Sequence, residues 1–462
     1  MEMIASGGYT EKLADYCAKA RLEDIPQAVR ERAKHVILDG IGCGLYGARL
    51  PWSEILIQTV APWSTGGKST VWGTDLRLPP DHAALLNGSF IQGFELDDAH
   101  SVGGLHECAN VLPAVFSSTD LLDRVSGADL LTSIIVGFEV GPRVGICVGA
   151  AKILVRGWHG GAVVGIFGAA AGAGRLLGLS PQQMVHAFGI AGTQASGLMA
   201  AQYGSMVKRM HHGKSTQGGF IAAALAKNGY TGIEHIFEQR YGGWCSTLMG
   251  SLDVCDLPQL TDGLGTRFEV ERIKMKSYAC NGSIHASLEA IKTIQKRRPF
   301  AAADVRAITA KCTKATFEHV GWKYDPATAS VTSAQMNLSF SVAALMVTGQ
   351  VFVDQFTEEA IRSPKVVDFT RKVTAVHEPS FDGLGREHRH HTELTVEFMD
   401  GSKETETVVA RMPVSNEMLL AKYDRLARET LSTDQADELK HHVLHIEELD
   451  DAHVLSRLLG RA

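Results

Sequence analysis

No C-x-x-C pair links any of the eight cysteines, which stand at positions 17, 43, 108, 147, 245, 255, 280 and 312. That excludes a zinc knuckle, a ferredoxin-type cluster motif and a disulfide framework. Scattered thiols suit a reducing compartment, so a cytoplasmic protein is expected. Basic residues form no long run and do not alternate with aromatics, and the formal net charge is −6. Nucleic acid is therefore not expected as a partner, and an anionic ligand would need a local cluster of cations. Met1 to Gly8 shows no basic region followed by an apolar one, so no secretory leader is read there. The most apolar run, Leu130 to Ala151, carries Glu139, Pro142 and Arg143, which are too costly in lipid for a membrane span. Nucleotide fingerprints are missing as well. Gly213-Lys214-Ser215-Thr216 has Lys208 where a P-loop needs glycine. Gly172-Ala-Gly174 meets its next glycine at Gly178, one residue too late for a dinucleotide site. Neither an internal repeat nor a low-complexity tract is visible.

What remains is a chain of 462 residues, 45% hydrophobic and 21% charged, an ordinary balance for a globular protein. It is too long for one compact core. Many of its 47 glycines lie between Gly157 and Gly242 among alanines, as in helices that approach closely. Pro26 opens a helix carrying Val29, Ala33 and Val36 at helical spacing. Thr119 to Val136 reads as a further helix, and Ser180-Pro181 caps another. From about Leu264 the character changes. Phe268 to Met275 reads as a strand, about Ser283 to Lys296 as a helix, and Val305 to Cys312 and Lys372 to His377 as strands. Thr392 to Val409 alternates around Asp400-Gly401, a hairpin signature. Beyond Pro413, Ser432 to Gln435 resembles a capping box, ahead of a stripe of Leu439, Val443, Ile446 and Leu449. The fold is thus mainly α. A helical domain is expected over 1–265, an α+β domain over 266–410, and helices over 411–462 that dock back on the first, making it discontinuous.

Four segments place polar side chains in small or apolar surroundings. The first is Gly93 to His100, holding Glu95, Asp97 and Asp98, with His106 shortly after. Three carboxylates so close repel one another unless cations or hydrogen-bond donors meet them; a solvated helix end is the plainer reading. The second is Arg156-Gly-Trp-His159-Gly-Gly, where flanking glycines leave the imidazole open to a ligand; a helix-capping histidine is the alternative. The third, Gly204 to Gly213, crowds Lys208, Arg209, His211 and His212, which need an anion if buried and nothing if they form a solvated turn. The fourth runs from Lys276 through Tyr278 and Cys280 to His285, and its histidine could equally be a satisfied core residue. His441 and His445 are spaced for a metal but lack the accompanying carboxylate motif, so no metal site is expected. His388, His390 and His391 are read as a surface loop. Histidines, lysines and carboxylates without a cofactor motif suit proton abstraction beside a carboxylate, with cations holding the developing charge.

These four segments, in this order, resemble the MmgE/PrpD family, above all between Trp158 and Gly232. The resemblance covers nearly the whole chain, from Ala14 to the last helices. It implies a large helical domain built from both chain ends, a smaller α+β lid domain and a site in the cleft between them. It also implies a homodimer without metal or organic cofactor. By motif, His106, His159, Lys208, His285 and the Asp97-Asp98 pair match the family's site. Lys208 and His159 would bind carboxylates and act as electrostatic stabilisers, His106 or His285 would move the proton, and Asp98 would orient an imidazole. Glu95, Asp97, Arg209, His211, Lys276 and Tyr278 are assigned to substrate binding. The leading expectation is a dehydratase acting on a small polycarboxylate such as 2-methylcitrate. Decarboxylation or epimerisation of a related polycarboxylate, or silent binding, are the alternatives. Glu95, Ala99, Gln92, Ser277, Ala279 and Glu107-Cys108-Ala-Asn110 depart from the pattern common among members close to the decarboxylase.

Overall fold

Small residues decide how the helices of this protein meet. In the computed structural model, which describes residues 7–385, 388–409 and 413–461, the first half is helical. It comprises α1 (Tyr9–Lys19), α2 (Gln27–Gly47), α3 (Pro51–Val60), α4 (Pro80–Ile91), α5 (Glu107–Thr119) and α6 (Gly127–Val148). There follow α7 (Ala150–Val155), α8 (Gly160–Leu176), α9 (Pro181–Gly192), α10 (Val207–Lys227) and α11 (Trp244–Met249). A short ribbon, β1 (Ser69–Thr70) with β2 (Arg77–Leu78), sits between α3 and α4. Helices α6 and α10 both pack along α8. A Cβ at Gly219 of α10 would stand 2.4 Å from Ala169 Cβ of α8, so the two helices meet closer than two alanines could. The P-loop-like Gly213 to Thr216 lies inside α10 and Gly172 to Gly174 inside α8, so neither forms a phosphate-binding loop. Among the described residues, α6 is the helix long and apolar enough to cross a bilayer, and its most apolar window is wholly buried.

Two expected elements differ. Thr119 to Val136 is not one helix: α5 ends at Thr119, and Ser126 starts α6 by accepting the Asp129 amide on its side chain. That cap satisfies an amide the helix end would otherwise leave unpaired, so it outweighs the apolar run. Phe268 to Met275 is not a strand either. Glu269–Arg272 coils into a single 3-10 turn because Glu269 points inward, its carboxylate 3.0 Å from Arg272 and 3.1 Å from His100.

The α+β part contains α12 (His285–Arg297), β3 (Val305–Cys312), α13 (Lys314–Val320), α14 (Val331–Gln335), α15 (Leu338–Thr348), α16 (Pro364–Thr370), β4 (Val373–His377), β5 (Thr392–Phe398) and β6 (Lys403–Val408). The sheet order is β4-β3-β5-β6; β3 is parallel to β4 and antiparallel to β5, and the β5–β6 hairpin turns at Asp400-Gly401. Thr392, Leu394, Val396 and Phe398 are buried along β5, and α12 covers that hairpin. The outer strand β6 carries Lys403, Glu404 and Glu406, charges that blunt an exposed edge.

The chain closes with α17 (Asn416–Ala427), α18 (Thr433–Leu444) and α19 (His453–Leu458). Helix α17 lies against α2, where Gly42 leaves room for Tyr423. Lys422 on α17 is buried and pairs with Asp39 of α2 at 2.7 Å. It also donates to the carbonyls of Leu96 (2.6 Å) and Lys276 (3.1 Å). One ammonium therefore ties the C-terminal helices to two of the polar segments.

Candidate active site

Helix α4 runs into a 3-10 turn, Gln92–Phe94, and the next residue, Glu95, is left-handed (φ 57°, ψ 26°). It is the one non-glycine residue with positive φ among those described. Such a conformation costs on the order of 1 kcal/mol and persists only where the surroundings over-determine it. Here they do. The buried Glu95 carboxylate accepts from Lys208, from Arg209 Nη1 at 2.8 Å, from Lys276 Nζ at 3.3 Å and from Gln92 Nε2 at 2.9 Å. Burial works against its charge, but Lys208, Lys276 and Arg209 outweigh it and hold the carboxyl well below the usual range. Burial lowers Lys208 to about 8 despite Glu95. Three cations thus share one glutamate, a surplus of positive charge in a desolvated place.

Asp97 and Asp98 divide their work in a way the sequence does not foretell. The Asp98 carboxylate accepts the backbone amides of Glu107 (2.8 Å) and Cys108 (3.1 Å), so it caps α5 and does not orient an imidazole. Its carbonyl oxygen does that, accepting His106 Nδ1–H at 2.7 Å. A carbonyl can only accept, so Nδ1 carries the proton and Nε2 is left for proton transfer. Asp97 Oδ2 lies 3.0 Å from the same Nδ1 and acts on the ring through its charge. Burial opposes that charge, yet His106 and Lys276 hold Asp97 below the usual range.

His159 stands immediately before α8, and the glycines after it are required by close approach. A Cβ at Gly160 would fall 2.2 Å from the Gly104 carbonyl, and one at Gly161 would fall 2.1 Å from His212 Nε2. His159 Nδ1 meets His211 Nδ1 at 2.9 Å, and His212 stands edge-on to both His106 and His159 at 5.0 Å. Burial, then Lys208 and His211, pushes His159 well below its ordinary value, while burial and Lys208 lower His211 to about 4. Both rings are therefore neutral near pH 7. His159 serves as a hydrogen-bonding group and not as the charged stabiliser expected, because burial beside Lys208 disfavours a second cation.

One cleft gathers Glu95, His106, His159, Lys208 and Lys276. Arg209 lies behind it, spent on Glu95, on Gln335 (2.8 Å) and on Thr332 (3.3 Å) of α14, which makes it an anchor between the two parts of the fold. Asp97 and His211 support the lining residues from behind. Tyr278 and His285 do not line the cleft, which corrects the expectation for both. The Tyr278 hydroxyl donates to Glu289 at 2.6 Å, and His285 begins α12 with Nε2 3.4 Å from the Cys280 carbonyl. The turn before α12 presents Asn281 and Ser283 in their stead.

The α+β part supplies residues that sequence reasoning missed: His319 on α13, and Arg389 beside it in the cleft wall. His390, read as part of a surface loop, is buried and lines the same cleft. Burial, then Arg389 and Lys208, lowers His319 to about 4. No local pattern marks these positions. His441 and His445, by contrast, are exposed as expected. Among the described residues no group of three or more histidine, cysteine or acidic side chains is arranged to hold a metal.

Glu107, the first residue of α5, is buried, and neither carboxyl oxygen has a hydrogen-bond partner among the described residues. Burial, reinforced by Asp98, Glu139 and Glu269, pushes its carboxyl well above the usual range. A folded pKa above the unfolded value of about 4.3 means a contribution that is full below pH ~4 and is lost as pH rises through the folded value. Glu107→Gln is therefore expected to match the parent in acid and to gain stability over it progressively from about pH 5 upward. A thermal-midpoint difference that stays flat between pH 5 and pH 8 would refute this.

The MmgE/PrpD N-terminal domain matches residues 11–254, and the MmgE/PrpD C-terminal domain matches residues 278–448. A cis-aconitate decarboxylase-like protein, oryM, of Aspergillus oryzae is 38% identical over 98% of each chain. The cis-aconitate decarboxylase of Aspergillus terreus is 37% identical over 99% of this chain and 96% of its own length. The 2-methylcitrate dehydratase of Salmonella typhimurium is 20% identical over 82% of this chain and 80% of its own.

Proposed function

This chain belongs to the MmgE/PrpD family, and on that premise we propose that it decarboxylates an unsaturated tricarboxylate of the cis-aconitate class. Dehydration was the leading expectation from the sequence. The full-length similarity to decarboxylases puts carbon–carbon cleavage ahead of it. The observation that carries the reading is the cleft itself, where Lys208 and Lys276 lie beside the His106 and His159 imidazoles. Cations there hold substrate carboxylates, and the imidazoles handle protons.

The chemistry follows from the substrate. In an allylic carboxylate, breaking the bond to the departing carboxylate releases carbon dioxide and sends its electron pair into a new terminal double bond. The former double bond takes up one proton at its far carbon. Negative charge spreads towards the carboxylate conjugated with that system as the bond breaks, and Lys208 beside it lowers the barrier. His106 is the proton carrier. Its ring is oriented through Nδ1 by the Asp98 carbonyl, leaving Nε2 for transfer, and Asp97 Oδ2 lies 3.0 Å from the same Nδ1. His159 contributes a neutral hydrogen bond to a carboxylate.

Proton and carbon NMR of the purified protein with cis-aconitate in D₂O tests this. The expected result is carbon dioxide release with methylidenesuccinate bearing one deuterium, and His106→Asn is expected to slow turnover by about 10²–10⁴. Hydration without loss of carbon would favour the second reading, a dehydratase, which the similarity to 2-methylcitrate dehydratase supports. Undiminished turnover in His106→Asn would remove that residue from the mechanism.

A further inference from the structure

Two buried arginines, Arg143 and Arg209, and the half-buried Arg389 lie close to this cleft or to the cluster behind it, and they are not equivalent. Arg143 has Glu139 at 3.2 Å, and Arg209 has Glu95 at 2.8 Å. Arg389 has no carboxylate oxygen within ion-pair distance among the described residues. Its one side-chain hydrogen bond there runs from Nη1 to the Ser101 carbonyl at 3.0 Å. A guanidinium partly withdrawn from water without a carboxylate beside it is poorly compensated, so the site favours an anion brought from outside.

Its position fits that demand. Arg389 lines the same cleft as Lys208, Lys276, His106 and His159, but reaches it from the α+β part. The backbone beneath it is fixed, since its carbonyl accepts the hydroxyls of Thr313 (2.9 Å) and Thr316 (3.2 Å) at the start of α13. Ser101, the partner on the other side, lies in the loop that carries His106. The guanidinium therefore bridges both parts of the fold across the cleft, and most of its donors have no partner among the described residues. A planar fork of donors matches a carboxylate in bidentate fashion, which an ammonium cannot do.

We propose that Arg389 is the specificity-determining residue of this site, clamping a third carboxylate of the substrate beyond those held at Lys208 and Lys276. This rests on the polycarboxylate reading above and narrows it: the cleft selects tricarboxylates over dicarboxylates. The division of labour follows from the charges already in place. Lys208 and Lys276 are partly neutralised by Glu95, whereas Arg389 meets no carboxylate among the described residues.

Titration calorimetry with tricarballylate, a saturated tricarboxylate that cannot lose carbon dioxide by the allylic route, and glutarate, its counterpart lacking the central carboxylate, tests the assignment without relying on turnover. The parent is expected to bind tricarballylate at least tenfold more tightly than glutarate. Arg389→Gln is expected to weaken tricarballylate roughly 30-fold while changing glutarate by less than about threefold. Arg389→Lys, which keeps the charge and loses the fork, is expected to fall between. Thermal midpoints of both variants are expected to stay near the parent, because the half-buried side chain makes one hydrogen bond among the described residues. Tricarballylate binding unchanged in Arg389→Gln, or equal weakening of both ligands, overturns the clamp and leaves the proposed function standing. A parent that binds neither ligand removes both the clamp and the polycarboxylate reading.

Discussion

Replacing Lys208 with methionine is expected to lower kcat/KM by about 10³ while leaving the protein folded. The first half follows from its place in the cleft: it is a cation aimed where charge develops, in surroundings that exclude water, and removing one such group typically costs 10²–10³ in rate. The second half follows from its partners. Glu95 keeps Arg209 and Lys276 when Lys208 is gone, so no buried carboxylate is stranded. The ammonium also sets a pH limit. Burial holds Lys208 at about 8, so its charge is present below that value and is lost as pH rises through it. The kcat/KM profile of the parent is expected to fall on the alkaline side near pH 8. Lys208→Arg, which stays charged, is expected to keep part of the activity and lose that limb. Turnover within tenfold of the parent in Lys208→Met, or an unmoved limb in Lys208→Arg, would show that another group carries the charge.

Glu95→Gln is expected to act in the opposite sense, on the fold first. It leaves Lys208, Arg209 and Lys276 buried together without the carboxylate they share. Removing one partner of a buried ion pair typically costs about 3–5 kcal/mol, which for a protein of this size is a drop of roughly 5–10 °C in thermal midpoint. Glu95 has a folded pKa depressed well below its unfolded one, so its contribution is present above about pH 4 and is lost as pH falls through the folded value. The gap between parent and variant is accordingly expected to be widest near neutrality and to close in acid. Added polycarboxylate should restore part of the midpoint by supplying the missing anion. An unchanged midpoint at pH 7 would mean that the three cations are neutralised in some other way.

Much of the fold was legible along the chain because it is written in near neighbours. Ser180 with Pro181, the Asp400-Gly401 turn and the pair Leu439 and Val443 each announce an element through local hydrogen bonding or periodicity. Where the structure departs from the local pattern, a competing interaction wins. Ser126 capped a new helix inside an apolar stretch, and Glu269 turned inward to meet Arg272 and His100. Five of the residues expected at the site do line the cleft, since polar side chains among small ones are conspicuous in a sequence. Tyr278 and His285 share a segment with Lys276 yet face elsewhere, because the turn into α12 brings Asn281 to the cleft first.

Residue order alone is enough for most of the elements, their succession, the family, and four segments able to hold charge. Which of those charges meet depends on long-range packing. Glu95 collects cations from positions 208, 209 and 276, and Lys422 fastens Leu96 and Lys276 from the far end of the chain. Arg389 and His319 reach the cleft from the α+β part. A cap or a period acts over a few residues, whereas ion pairing in a desolvated place depends on which distant segments fold against one another. The first kind of information survives in a linear reading, and the second exists only once the chain has closed.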